Sequence, residues 1–442
     1  MPNPILPLWE HVPDGEPRVF GNRVYLYGSH DNAYSQSFCD MRLKVWSAPI
    51  GDLSSWVCHG DSFQTRPDTD HEPSVDWCKG ELYAPDVVEK DGKYYLFAYL
   101  FYEKGCVAVS DHPEGPFTLY SKYKYDEKEA AEKKRYENGV FVDPGVLIDD
   151  DGKAYIYCGY EHSYAAQLDS DDLSRVIPGS YVDGILPDEA PFSFFEACSP
   201  RKIGDTYYLI YSPRRGSCLA YATAKAPLGP YEYRGVIIDN GIDYPGGNDH
   251  GSIMEINGQW YVFYHRMTNN TLHSRQACAE KITILPDGSI PQVEMTSLGF
   301  SESLNPYCAT PAAYACVLTG GAYIKQKNPL TTIVSGIKNG SIVGYRYFDF
   351  GLDYSGTSTD LIIKLLGCGE TGEVEIVLDD KENGESLGKA AISGDDEILK
   401  IHMRPLSGRH AVYFKFTDSR RQDAFGFAGR ELCSLCEFCF VK

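Results

Sequence analysis

The sequence has no run of about 18 apolar residues, so it offers no hydrophobic helix that could span a bilayer. Its opening stretch, MPNPILPLWE, holds neither a basic segment nor an apolar core of the secretory type, which predicts a cytoplasmic protein. Long Leu/Ala/Glu/Lys stretches are scarce, which argues against a largely helical fold. Positive charge is short as well: 41 Lys and Arg stand against 62 Asp and Glu, a formal charge of −21. Such a surface repels a phosphate backbone, so nucleic acid is not an expected partner, whereas a neutral carbohydrate meets no barrier. Nothing in the sequence calls for an organic cofactor.

What is abundant points to strands and turns: 33 Tyr, 20 Phe and 42 Gly in 442 residues. That length exceeds one ordinary core and predicts two domains. The 14 Cys are scattered through strand-like runs such as AYIYCGY and SFFEACSP, the pattern of reduced buried thiols. Cys433, Cys436 and Cys439 cluster in ELCSLCEFCFVK, but no partner cluster completes a four-ligand zinc set, and the stretch reads as a terminal strand.

Five segments share one grammar, an apolar run, a Gly turn and an aromatic strand: EPRVFGNRVYLYGS, PDVVEKDGKYYLFAY, DPGVLIDDDGKAYIYCGY, SPRKIGDTYYLIYS and GSIMEINGQWYVFYHR. Their turn glycines, Gly21, Gly92, Gly152, Gly204 and Gly258, recur at intervals of 71, 60, 52 and 54 residues. Each unit reads as a hairpin that cannot bury its faces alone, and such recurrences are the mark of propeller blades. The expected architecture is therefore all-β: a five-bladed β-propeller over residues 1–305, then a β-sandwich of jelly-roll type over 315–442. A β-sandwich with coincidental hairpins is the alternative for the first part. In the second part, GSIVGYRYFDFG, TDLIIKLLGCG, GEVEIVLDD, EILKIHMRPL and HAVYFKFTD are short strands spaced by turns. The charged segment KYKYDEKEAAEKKRYENG at 122–139 reads as a solvated insertion between blades.

In a propeller the innermost strands line a central channel, so polar residues just ahead of the hairpins should converge there. They are Asp14 or Glu16, Asp86, Asp143, Glu196 and His250. Hydrolysis of a glycosidic bond needs a carboxylic acid to protonate the leaving oxygen and a carboxylate opposite it, about 6.5–9.5 Å away when a water must fit between them. A third carboxylate nearby can keep the acid protonated.

These segments, in this order over about residues 3–300, resemble glycoside hydrolase family 43, five-bladed propeller enzymes that release arabinose or xylose. The resemblance implies an exo-acting, inverting hydrolase of terminal α-L-arabinofuranosyl or β-D-xylosyl residues, acting on oligosaccharides or polysaccharides of hemicellulose. It implies Glu196 of FFEACSP as general acid and Asp143 of FVDPGV as the carboxylate that orients and tunes it. The base is less direct, because the family's Pro-Asp-Pro is here Pro13-Asp14-Gly15-Glu16-Pro17. A gapless match selects Asp14, seven residues before Gly21. Aligning the second proline selects Glu16 and deletes two strand residues, shifting the hairpin register. If the segment is extended, both side chains share a face and Glu16 stands beside the base near the pocket rim. The resemblance further implies that His250 of NDHGS contacts a calcium ion or its waters. Asp31 and Arg266 also fall in matching motifs, Arg266 either bonding sugar hydroxyls or forming a salt bridge inside the propeller, and with Asp86 and Glu16 they are the expected sugar ligands. VGYRYFDFG and GEVEIVLD look like a family 6 carbohydrate-binding module, which would stack exposed aromatics on sugar and carry its own structural calcium. Two rivals stay open: a retaining propeller hydrolase acting on another sugar, and a sugar-binding protein with a dead site.

Overall fold

The computed structural model describes residues 1–101, 105–128, 141–214, 216–352, 358–418 and 429–442. Of the charged insertion expected at 122–139, residues 129–139 lie outside that set. The described chain is organised almost wholly as antiparallel β-strands.

Five sheets follow one another along the first two thirds of the chain. Blade one is Glu16–Phe20, Arg23–Gly28, Arg42–Pro49 and Val57–Gln64; blade two is Leu82–Lys90, Lys93–Leu100, Cys106–Ser110 and Thr118–Lys122. Blade three is Gly145–Ile148, Ala154–Gly159, Ser163–Asp169 and Asp172–Val176, with Val182–Asp183 as a further short pairing. Blade four is Phe194–Ile203, Thr206–Pro213, Cys218–Ala224 and Glu232–Asp239, and blade five has three strands, Ser252–Ile256, Gln259–Thr268 and Thr271–Ile282. The inner strands of blades one to four meet in order, blade five's inner strand meets blade four, and it also meets blade one's, so the ring is closed. The beginning of the chain runs along blade five's last strand: the Ile5 N–H donates to the Ala277 carbonyl at 3.0 Å, and Asn3 exchanges hydrogen bonds with Ala279.

The five turn glycines sit at φ +59°, +75°, +79°, +55° and +82°. Open space surrounds the Cβ each would carry. Backbone conformation alone therefore demands glycine there, the left-handed turn that folds each inner hairpin.

The second domain packs two sheets face to face. One holds Tyr323–Asn328, Thr331–Ile337, Cys433–Val441, Thr359–Gly367 and Glu397–Met403; the other holds Val317–Leu318, Ile342–Asp349, Arg409–Asp418, Gly372–Leu378 and Ser386–Ile392. Tyr345, Phe348, Phe414 and Phe438 meet between them at ring separations of 4.8–6.4 Å. This core is continuous with the propeller's, running through Ala312–Val317 into Tyr208, Tyr221, Val262 and Tyr264 of blades four and five. Each buried aromatic contributes about 1.5–3 kcal/mol, so the seam is part of the fold's stability. Cys433, Cys436 and Cys439 lie on the last strand as free thiols, and among the described residues no group of three or more His, Cys, Asp or Glu forms a metal site. No helix of the described residues is long and apolar enough to cross a membrane.

Candidate active site

The channel carries two layers of polar side chains, and one backbone device separates them. Glu16, Asp86, Gly145, Ser199 and Ser252 occupy equivalent rungs, opposite Tyr27, Phe97, Tyr157, Ile210 and Phe263 on the second strand of each blade. Two residues earlier, four of the five chains pass through a left-handed residue: Asp14 (φ 59°), Ala84 (φ 29°), Asp143 (φ 50°) and Ala197 (φ 69°). Such conformations are costly for residues other than glycine, least so for Asp and Asn, and they gather where function holds them.

The lower layer is a closed ion-pair network reaching all five blades. Arg18 grips Asp86 with two hydrogen bonds, of 2.9 and 2.6 Å, and donates to the Val146 carbonyl at 3.0 Å. Asp86 also accepts the Val146 N–H at 2.7 Å. Glu16 is paired with Arg201, accepts the Ser199 hydroxyl at 2.8 Å and lies 3.5 Å from Arg18. Arg201 in turn donates to the Ile253 carbonyl at 2.8 Å. Two guanidinium groups face two carboxylates; Glu16, Asp86 and Arg201 are buried, Arg18 is nearly so, and each is paired, the arrangement buried charge requires.

The upper layer is not balanced in this way. Asp14, 4 % exposed, accepts the Ser29 hydroxyl at 2.6 Å on one oxygen and Arg275 at 2.9 Å on the other. The imidazole Nδ1 atoms of His265 and His250 stand 3.5 and 3.9 Å from Asp14 Oδ1. His250 Nδ1 is also 3.8 Å from Asp143. Glu196 sits in a double bulge opposite Ser212, and Asn248 Nδ2 is 3.4 Å from its carboxylate. Three carboxyl groups from blades one, three and four thus gather with one arginine and two histidines.

Electrostatics divide their roles. Burial pushes Asp14 up, but Arg275, the two histidines and Ser29 outweigh it and hold the carboxyl below the ordinary aspartate value, so Asp14 is ionised. Burial, and then the charge of Asp14, raises Glu196 to about 7. Asp143 is also pushed well up, by burial and by repulsion from Glu196 and Asp14. The Asp143–Glu196 pair therefore retains a proton near neutrality beside a carboxylate, Asp14, that has none. Burial and Arg275 lower His265 to about 3, so its ring is neutral: Nδ1 accepts the Asp14 N–H at 3.3 Å while Nε2 donates to the Asn248 carbonyl at 3.1 Å. Burial also lowers His250.

Several expected sugar ligands stand elsewhere. Glu16 is not at the rim beside Asp14 but a layer deeper, because the left-handed Asp14 breaks the extended geometry that would put both on one face. Asp86 belongs to that deeper layer, two residues out of step with Asp14 and Asp143. Asp31 is 2 % exposed and committed to Arg275, through hydrogen bonds of 2.8 and 3.0 Å. Arg266 does not reach the cluster: its guanidinium donates to Gln276 and to the Ala313 and Ala315 carbonyls, tying blade five to the seam. The arginine of the site is Arg275. In the hairpin, Arg266 pairs with Gln276 and Met267 with Arg275, so the two arginines point to opposite faces. Arg275, Asn248 and Ser29 escaped the sequence reading, although NDH and LHSRQ adjoin the matched motifs.

Calcium takes six to eight oxygen ligands. At His250 it would find an imidazole and two carboxylates, one of them already held by Arg275 and Ser29. That donor set does not fit a directly ligated calcium ion.

Comparison with known proteins places the chain in a family and a fold. The family model for glycosyl hydrolases family 43 matches residues 1–290. A xylosidase/arabinosidase of Thermoclostridium stercorarium is 36 % identical across 94 % of this chain and 96 % of its own length. The crystal structure of a Bacillus subtilis arabinoxylan arabinofuranohydrolase, in complex with cellotetraose, superposes over 100 % of this chain and 97 % of its own with a TM-score of 0.55 at 23 % identity, a likeness of fold across both domains. A compost-metagenome β-xylosidase/α-arabinofuranosidase, solved with xylotriose in a calcium-free form, covers 66 % of this chain and 99 % of its own at 27 % identity, with a TM-score of 0.55.

Proposed function

The chain belongs to glycosyl hydrolase family 43, and from that membership we propose that it is an exo-acting, inverting hydrolase. It removes terminal α-L-arabinofuranosyl or β-D-xylosyl residues from hemicellulose-derived oligosaccharides. The observation that carries this reading is the split titration of the upper layer, an ionised Asp14 facing a Glu196 raised to about 7. We take residues 1–305 as the catalytic domain and 315–442 as the sandwich. The last blade strand ends at Ile282 and the sandwich pairings begin at Thr310.

In this mechanism Asp14 takes a proton from a water whose oxygen attacks the anomeric carbon. The bond from that carbon to the leaving oxygen breaks, and Glu196 delivers its proton to that oxygen. The freed sugar has inverted configuration, and solvent returns the two carboxyl groups to their starting states. Arg275 fixes Asp14 and keeps it ionised. Asp143, itself pushed well up by burial and by the charges of Glu196 and Asp14, shares the acid-side proton with Glu196. No step runs through a metal, given the poor donor set at His250. Fourteen free cysteines suit a reducing compartment, which supports action in the cytoplasm on imported oligosaccharides.

The test is release of arabinose and xylose from their nitrophenyl glycosides, with NMR of the first anomer formed. Monosaccharide of opposite configuration is expected. Retention would overturn the mechanism, and sugar binding without release would make the chain a binding protein.

A further inference from the structure

On blade five's last strand, Thr271, His273 and Arg275 are spaced i, i+2 and i+4 and lie on one face of the sheet. Arg275 holds Asp14 and also lies over the Phe38 ring, 5.0 Å from its centre, and Phe38 meets the His273 ring edge-to-face at 4.5 Å. This row of side chains leads from the base to a groove of about 440 Å³ bordered by Tyr34, Gln36, Asn269, Thr271 and His273. Its volume is that of a small-molecule site, and none of its lining residues is Asp, Glu, Lys or Arg.

Both walls of the groove are tied to the sandwich strand Tyr323–Asn328. The Tyr34 hydroxyl donates to the Gln326 carbonyl, the Gln326 N–H donates to Asn269 Oδ1 at 2.8 Å, and the Asn269 N–H donates to the Ile324 carbonyl at 2.6 Å. Beside this junction Gln326 Oε1 is buried and takes no donor. Tyr34 is 65 % exposed although its hydroxyl is anchored, so its ring is a fixed plate with open area. Such a plate costs a ligand little ordering entropy. The loop that carries it is pinned below, where Asp31 accepts the Cys39 N–H at 3.2 Å and grips Arg275.

We propose that this groove is a second sugar subsite. It holds neutral pentosyl units of the same oligosaccharide beyond the bond being cleaved, with the Tyr34 ring as platform and the sandwich as brace. The inference rests on the functional reading above. It gives the second domain a part in carbohydrate recognition that does not need aromatics on its own surface. Among its described residues the large apolar side chains left exposed are Leu330, Leu352, Ile398 and Val441, none of them aromatic.

Two measurements test it. In the Glu196→Gln protein, calorimetry with xylotetraose and with xylose should show tighter binding of the tetramer, and adding Tyr34→Ala should remove about tenfold of that gain. Tyr34→Phe should keep most of it, because the ring is the platform and loss of the anchoring hydroxyl removes only the ring's fixed orientation. In the active protein, Tyr34→Ala should lower kcat/KM on xylotetraose more than on a nitrophenyl xyloside, chiefly through KM. Equal losses on the two substrates, unchanged tetramer binding in Tyr34→Ala, or the same loss in Tyr34→Phe as in Tyr34→Ala would overturn the subsite. If the wild type releases neither sugar, the functional reading fails and the calorimetric comparison still decides the groove.

Discussion

The two polar layers of the channel are built from the same inner strands, two residues apart, and behave as opposites. In the lower one, Arg18, Arg201, Glu16 and Asp86 cancel in charge and saturate one another's hydrogen-bonding groups. In the upper one, burial and the negative charge by which Asp14, Asp143 and Glu196 outnumber Arg275 together leave a proton on the acid side near neutral pH. Burial is similar for most of these groups, so burial alone does not mark a reactive carboxylate. Incomplete compensation does.

The sharpest way to break that contrast is to remove Glu196, the proposed proton donor of the upper layer. Glu196→Gln should lower kcat on natural oligosaccharides about 10²–10⁴-fold, and far less on nitrophenyl glycosides whose leaving group needs no proton. Asp14→Asn should abolish turnover on both. A Glu16→Gln protein that is dead while Asp14→Asn works would exchange the two layers' roles.

The lower layer should respond in stability instead. Arg201→Leu leaves Glu16 as an underpaired buried charge, a loss of about 3–5 kcal/mol, read by denaturant unfolding, while the folded fraction keeps most of its turnover. Loss of turnover with unchanged stability would erase the distinction.

A smaller effect concerns pH. Glu196 must carry a proton, so kcat/KM should fall as pH rises through about 7. Asp14 must lack one, and its lowered value places the acid limb below the ordinary aspartate range. Ser29→Ala removes a donor that lowers Asp14, so the acid limb should move to higher pH while the alkaline limb stays.

The smallest effect lies outside both layers, in the loop root that carries Tyr34. His30 Nε2 is 3.1 Å from Glu10 and Nδ1 is 3.6 Å from Asp40. Burial lowers its affinity for a proton, but the nearby Asp40 carboxylate, the hydrogen bond to Glu10 and the Glu10 charge prevail and raise it above the usual histidine value. Its folded-state pKa exceeds the unfolded one. Its contribution to stability is thus full below the unfolded value and lost as pH rises through the folded one. His30→Gln should flatten that decline in thermal scans across this range.

Much of this was legible before any coordinates. The five turn glycines announced the inner hairpins because a left-handed residue is required at each, and the hairpins implied a ring with carboxylates at its mouth. Register also singles out Asp14, which keeps the spacing to Gly21 and is the carboxylate held ionised by Arg275 and Ser29. What stayed hidden depends on parity and long-range contact. Whether Asp86 aligns with Asp14 or with Glu16 turns on the left-handed residues, and no composition reveals a φ of +29° at Ala84. Whether Arg266 or Arg275 faces the channel turns on a hairpin register shifted between Met267 and Thr268. The groove needs loop 33–36 to meet strand 323–328 across some 290 residues of chain, a contact no local pattern encodes.

The left-handed step at the mouth of four blades has a further consequence. It sets Asp14, Asp143 and Glu196 on short backbone elbows anchored to the inner hairpins, with Arg275 of blade five's last strand as the contribution from an outer strand. A blade can then lengthen, shorten or acquire an insertion at its rim without moving a reacting atom. This chain shows that tolerance in its uneven repeat, whose intervals run from 52 to 71 residues around one site. The blades' outer edges are accordingly the part of the molecule open to grafting, and a new rim could be fitted there while the chemistry stays in place.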